Sequence, residues 1–122
     1  MLIVAALLLF LTGVAHSYLG ERYILIRLFK RDNLPELFGG TEFTTGTLRF
    51  VWHILTIVWW GIAVLVLQAA GQALQPKFVL EVFSSVSFVS GLFSFFFTRG
   101  RHLSWVIFFA VAILLWIAAP GA

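Results

Sequence analysis

The chain has 122 residues, 61% hydrophobic and 11% charged, whereas soluble domains carry about 25% charged residues; with a mean hydropathy of +1.04 it reads as an integral membrane protein. It has no cysteine, which excludes disulfides, thiolate metal sites and thiol nucleophiles. The net charge of +3 sits in short segments beside apolar runs rather than on a soluble face, so it points to anionic lipid headgroups and away from nucleic acid.

Four apolar runs, residues 2–19, 50–67, 78–97 and 103–119, each approach the ~20 residues that cross ~30 Å of hydrocarbon as helix. The first has a small-residue stretch at Gly13-Val14-Ala15 but lacks the basic start of a secretory signal, so it is expected to remain as an uncleaved first span. The predicted fold is a single all-α membrane domain over residues 1–122, an antiparallel four-helix transmembrane bundle joined by short connections.

Residues 20–47 form the one long connection. Gly20 is expected to break the first helix, and the stretch from Glu21 to Arg31 then reads as an interfacial helix. Arg22, Arg27, Lys30 and Arg31 would meet headgroups, while Tyr23, Ile26 and Phe29 dip into acyl chains. Asp32-Asn33-Leu34-Pro35 ends it, Gly39-Gly40 supplies a turn, and Thr41 or Thr45 caps the approach to the second span.

The later spans carry stripes of small and polar residues. Ser84, Ser87, Gly91 and Ser94 follow helical spacing in the third, as an interface between closely approaching helices would. Thr12, Gly13, His16, Ser17 and Gly20 mark a comparable face of the first, and Arg49, His53, Thr56, Trp60 and Ala63 one of the second.

Arg22, Arg27, Lys30, Arg31 and Arg49 fall between the first two spans and Arg99 and Arg101 between the last two, leaving only Lys77 on the other side. Since Lys and Arg are retained in cytoplasmic loops, both termini are expected outside, in the periplasm of a bacterium.

This topology sets His16, His53 and His102 at one membrane level. Imidazoles from facing helices could ligate haem, or hold a divalent transition metal with Glu21 as an oxygen ligand. His16 and His53 would be the cofactor-binding pair and His102 the most exposed of the three. The competing and favoured expectation is that the histidines only hydrogen-bond between helices, with no cofactor, and that Glu21 is the ion-pair partner of Arg49. Glu81 should pair with Lys77 at its i−4 position. No nucleotide-binding loop, HExxH helix, GxSxG elbow or CxxCH attachment occurs. The spans also lack the midplane charge and interior proline typical of transporters.

At His16-Ser17-x-Leu19-Gly20-Glu21 and Leu48-Arg49-Phe50-x-Trp52-His53 the chain resembles small uncharacterised bacterial inner-membrane proteins that carry an HSxLGE element after the first span and an LRFxWH element opening the second. The resemblance covers the first half, to about Gly61, and implies a four-span inner-membrane protein without naming an activity. The expected function is therefore non-enzymatic. The chain would act as an accessory or assembly subunit of a larger membrane complex, its partners being lipids and either another membrane protein or further copies of itself. The alternative is a histidine-ligated haem or metal redox protein.

In this cysteine-free chain, Lys77→Cys should react with a membrane-impermeant thiol reagent added outside intact cells and Asp32→Cys should not. The reverse labelling pattern would invert the orientation.

Overall fold

The computed structural model describes residues 1–119 and 121. Helix α1 (Leu2–Leu19) runs on through a π-helical stretch, Gly20–Leu25, into the single turn α2 (Ile26–Leu28). Then follow α3 (Glu42–Gly71), α4 (Pro76–Thr98) and α5 (Ser104–Ala118). Three of the helices, Leu2–Leu28, Glu42–Gly71 and Pro76–Thr98, are long and apolar enough to cross a membrane, and α5 is a shorter apolar helix. The described residues contain no β-strand, only an isolated bridge between Leu37 and Gly40.

The expected break at Gly20 does not occur. Gly20 has α-helical angles, φ −63° and ψ −48°, and the helix widens there instead. A π-helical turn takes in an extra residue, which keeps the α3-facing side of the helix turned toward α3 as it lengthens. Leu25 is consequently buried, and Phe29 lies beneath the Arg49 guanidinium, 4.9 Å from ring centroid to Cζ, instead of reaching outward. Tyr23 and Ile26 are exposed, and Tyr23 lies within 6 Å of the Arg22 and Arg27 guanidiniums.

α3 begins at Glu42, eight residues before its apolar run, and has 30 residues. Thr41 stands at its N-cap without a side-chain capping bond, and the Thr45 hydroxyl bonds the Glu42 carbonyl. The Gly39-Gly40 turn is tight: Phe38 and Gly39 both have positive φ, 54° and 87°, and Leu37 and Gly40 exchange backbone hydrogen bonds. Pro76 opens α4 at its first turn, where a missing N–H costs nothing. At the other end of α4, Arg99 takes the left-handed conformation (φ 54°) and the Gly100 N–H returns to the Phe95 carbonyl at 2.8 Å, the bond pattern that closes a helix C-terminus.

Rather than closing into a bundle, the helices pack as an open antiparallel row: α1 on α3, α3 on α4, and α4 on α5. Among the described residues no other pair of these four helices comes together. The buried positions are mostly small, and the large aliphatic side chains of α1 and α5 point outward. Of the expected stripe Ser84, Gly91 and Ser94 are buried and Ser87 is half-buried, while Ser90 and Thr98 join the buried set. The Ser84 hydroxyl donates to the Ala112 carbonyl at 2.7 Å, and Ser94 and Ser104 share a 2.7 Å bond. α3 and α4 approach closely at Gly46, where a Cβ would overlap the Phe97 carbonyl oxygen. Lys77 and Glu81 approach to 4.0 Å.

Gly46→Ala should therefore cost about 1–3 kcal/mol, because backbone must move to admit the methyl group. Gly71→Ala, where a Cβ meets nothing, should be neutral or slightly stabilising. Thermal unfolding of both variants in detergent checks the contrast; equal melting temperatures would show that the α3–α4 contact tolerates spreading.

Candidate functional site

The two sequence elements singled out above meet face to face. α1 supplies Gly13, His16 and Ser17, the widened turn supplies Gly20 and Glu21, and α3 supplies Arg49, Trp52, His53, Thr56 and Trp60. Antiparallel packing runs the two series in opposite directions, so positions one turn apart on α3 meet positions one turn apart on α1.

Three side chains of α3 form a ladder of hydrogen bonds to carbonyls of α1: Trp52 Nε1 to His16 O at 3.0 Å, Thr56 Oγ1 to Gly13 O at 3.2 Å, and Trp60 Nε1 to Phe10 O at 3.1 Å. A helix carbonyl already accepts one backbone N–H, and the ladder uses its second lone pair. Indoles fit this seam because Gly20 and Gly13 leave room for them; a Cβ at either glycine would collide with Trp52 or Trp60.

At the outer end of the ladder lies a polar cluster. Glu21 is held by Arg49 in a two-bond fork, Nη2 to Oε1 at 2.7 Å and Nε to Oε2 at 3.2 Å. His53 Nε2 also donates to Glu21 Oε2, at 2.9 Å. The other ring nitrogen, Nδ1, is 2.8 Å from Ser17 Oγ, which is in turn 2.6 Å from Thr56 Oγ1. With Nε2 donating to the carboxylate, Nδ1 accepts from Ser17, and Ser17 Oγ shares the single Thr56 hydrogen with the Gly13 carbonyl. The hydrogens of Ser17 and His53 thus run toward the one carboxylate, while Thr56 keeps the Gly13 carbonyl as an acceptor. The side chains of Arg49, Glu21 and His53 are 32%, 30% and 15% exposed. This shielding, with two-point geometry, lifts the pair above an exposed salt bridge worth about 0–1 kcal/mol.

A hydroxyl, an imidazole and a carboxylate in series have the order of a nucleophilic triad. Ser17, however, lies inside a helix, where backbone N–H groups are committed to the preceding turn, so no pair of N–H donors surrounds it to stabilise an oxyanion. Its hydroxyl is also already bonded to Thr56 in the α1–α3 seam.

The predicted site residues separate into three environments. His53 and Glu21 come together. His16 does not join them: its ring stacks on Trp52 at 4.6 Å and 3°, and its Nε2 bonds the Trp52 carbonyl at 3.2 Å. His102 lies at the α4–α5 turn, stacked on Phe43 at 5.7 Å, edge-on to Phe50 at 5.1 Å and bonded to Ser104 at 2.8 Å. It is half-buried, like the other two. Among the described residues no three His, Asp or Glu side chains converge as a metal-ligand group. Arg22, Arg27, Lys30 and Arg31 are exposed at this same end. The sequence pattern placed Ser17, Thr56 and Trp60 on the right faces without foreseeing their bonds and did not place Trp52; the recurring Trp/Thr spacing of four opposite glycines was the available signal.

Comparison with protein-family models, curated proteins and solved structures found no match.

A double-mutant cycle of Glu21→Gln and Arg49→Gln, read by detergent unfolding, should give a favourable coupling of about 0.5–3 kcal/mol. His16→Gln should cost only about 0.6 kcal/mol, one interhelical hydrogen bond in lipid. A coupling of zero would demote the pair to an incidental contact.

Proposed function

We propose that the protein is a non-enzymatic, four-span membrane protein that works by packing, as an accessory or assembly subunit of a larger complex in the bacterial inner membrane. The observation that carries this reading is the open row. α1 and α5 each pack on one helix only, and their outward sides are lined with large aliphatic residues such as Leu7, Leu8 and Leu11, and Ile107, Ile113 and Leu114. These two edges are the natural contact surfaces for a membrane-protein partner or further copies of this chain. The polar cluster supports the same role, since it ties α1 to α3 and offers no oxyanion pocket.

In this reading α5 is the fourth span. Its 15 residues give about 22 Å of helix at about 1.5 Å per residue, so it crosses with local thinning of the bilayer or beside a partner. The 27-residue helix Leu2–Leu28 extends about 40 Å on the same scale. It passes through the hydrocarbon and enters the headgroup layer, where Arg22, Arg27, Lys30 and Arg31 engage anionic lipid on the cytoplasmic side, with both termini periplasmic.

The test is photo-crosslinking in native membranes from a reactive residue placed at Leu8 or Ile113. A protein adduct of one discrete mass from at least one edge is expected; lipid adducts alone from both edges would overturn the reading. The rival histidine-ligated redox function predicts a visible absorption band or a stoichiometric metal in purified protein that disappears in His53→Gln.

A further inference from the structure

A second cluster of charge lies across α3 from the Glu21 site. The first turns of α3 and the α4–α5 turn flank a half-open cavity of about 190 Å³ lined by Glu42, Gly46, Arg49, Thr98, Arg99 and Arg101, among others. Three of those side chains are guanidiniums. The cavity is smaller than the roughly 300–1,000 Å³ of pockets for drug-sized molecules, and its size and charge suit a single tetrahedral anion. Arginine is also the side chain whose planar donors match phosphate oxygens in pairs.

Two further observations mark the place. The only non-glycine residues with positive φ among those described are Phe38 and Arg99, both at 54°, and both belong to this corner. Arg99 lines the cavity, and Phe38 lies beneath the Arg101 guanidinium, 5.9 Å from Cζ to ring centroid. A left-handed position closing a helix ordinarily favours glycine, so the turn holds an arginine where the backbone alone would prefer glycine. Arg99 meanwhile borrows a carboxylate from Glu42, at 3.2 Å, in a pair with side chains 75% and 65% exposed. An exposed pair of this kind contributes little, and Glu42 occupies the position an incoming anion would take.

We propose that this cavity binds a phosphate anion, that of an anionic membrane-lipid headgroup or a free phosphate, with the exposed Arg99 and Arg101 as its donors and Arg49 at its inner wall. Arg49 remains forked on Glu21 and adds field rather than a free donor, so the wall keeps a surplus of positive charge even with Glu42 in place. The site is distinct from the exposed Arg22, Arg27, Lys30 and Arg31, which do not line it, and it does not depend on the protein having a partner.

The experiment is isothermal titration of the full chain in nonionic detergent with dihexanoyl phosphatidylglycerol, dihexanoyl phosphatidylcholine and inorganic phosphate. Saturable binding of the phosphatidylglycerol that weakens about tenfold or more in Arg99→Gly and in Arg101→Gln, and tightens in Glu42→Gln, identifies a headgroup site. The same dependence with inorganic phosphate identifies free phosphate as sufficient. Arg99→Gly also separates charge from folding, because glycine suits the turn and should leave the melting temperature unchanged or raised. Failure of both anionic ligands to saturate, equal affinity for phosphatidylcholine and phosphatidylglycerol, or binding indifferent to both arginine variants would overturn the proposal.

Discussion

Arg49 and His53 converge on the single carboxylate of Glu21, and the position of that carboxylate depends on how α1 ends. If the helix stopped at Gly20, Glu21 would leave the seam, and Arg49 and the Nε2 of His53 would lose the carboxylate they share. Leaving such groups unpaired costs more than the pair itself contributes. The π-helical widening at Gly20–Leu25 is the local adjustment that meets this demand: the extra residue keeps Glu21, Leu25 and Phe29 on the α3 side through a stretch where a regular helix would rotate away.

The rest of the α1–α3 seam is graded inward from that point. Charged groups lie outermost, with the Trp52 indole against Gly20 at nearly the same level, then the hydroxyls of Ser17 and Thr56, then the Trp60 indole bonded to a carbonyl beside Gly13. In an apolar surrounding, large aliphatic side chains gain nothing by turning inward, because the exterior is as apolar as they are. Small residues and short hydrogen bonds do the holding, which explains why the buried set is rich in Ser, Thr, Gly and Ala. The α4–α5 contact uses the same means at Ser84, Gly91 and Ser94, with Gly46 serving α3 and α4.

An open row divides the work among these contacts. Each seam holds two helices and no central core backs it up, so a fault in one seam is not shared by the others. The row also leaves two apolar edges and concentrates seven of eight basic residues, all but Lys77, at the end holding the Glu21 cluster and the Arg99–Arg101 cavity. Both clusters draw on Arg49, which faces Glu21 on one side and the cavity on the other.

Much of this was legible in the chain itself. Hydropathy and run length specify helices of this length because a helix satisfies its backbone polar groups internally, a local property that needs no knowledge of neighbours. Periodicity likewise placed His16, Ser17 and Gly20 on one face and Arg49, His53 and Thr56 on another, and alternating helix direction set them at one level; the pairing of Glu21 with Arg49 followed. What sequence could not decide was anything requiring two elements to be placed at once. Gly20 alone reads as a breaker, since its low helix propensity is local, yet the Trp52 indole packed against it makes the absence of a side chain an advantage within a continuous helix. The three histidines share a level but not a centre, because facing direction depends on helix rotation and each ring had a nearer partner in Trp52, Glu21 or Phe43. The grouping of Arg99 and Arg101 with Arg49 required the α4–α5 turn to fold against the start of α3, a contact between residues about fifty positions apart that no local pattern encodes.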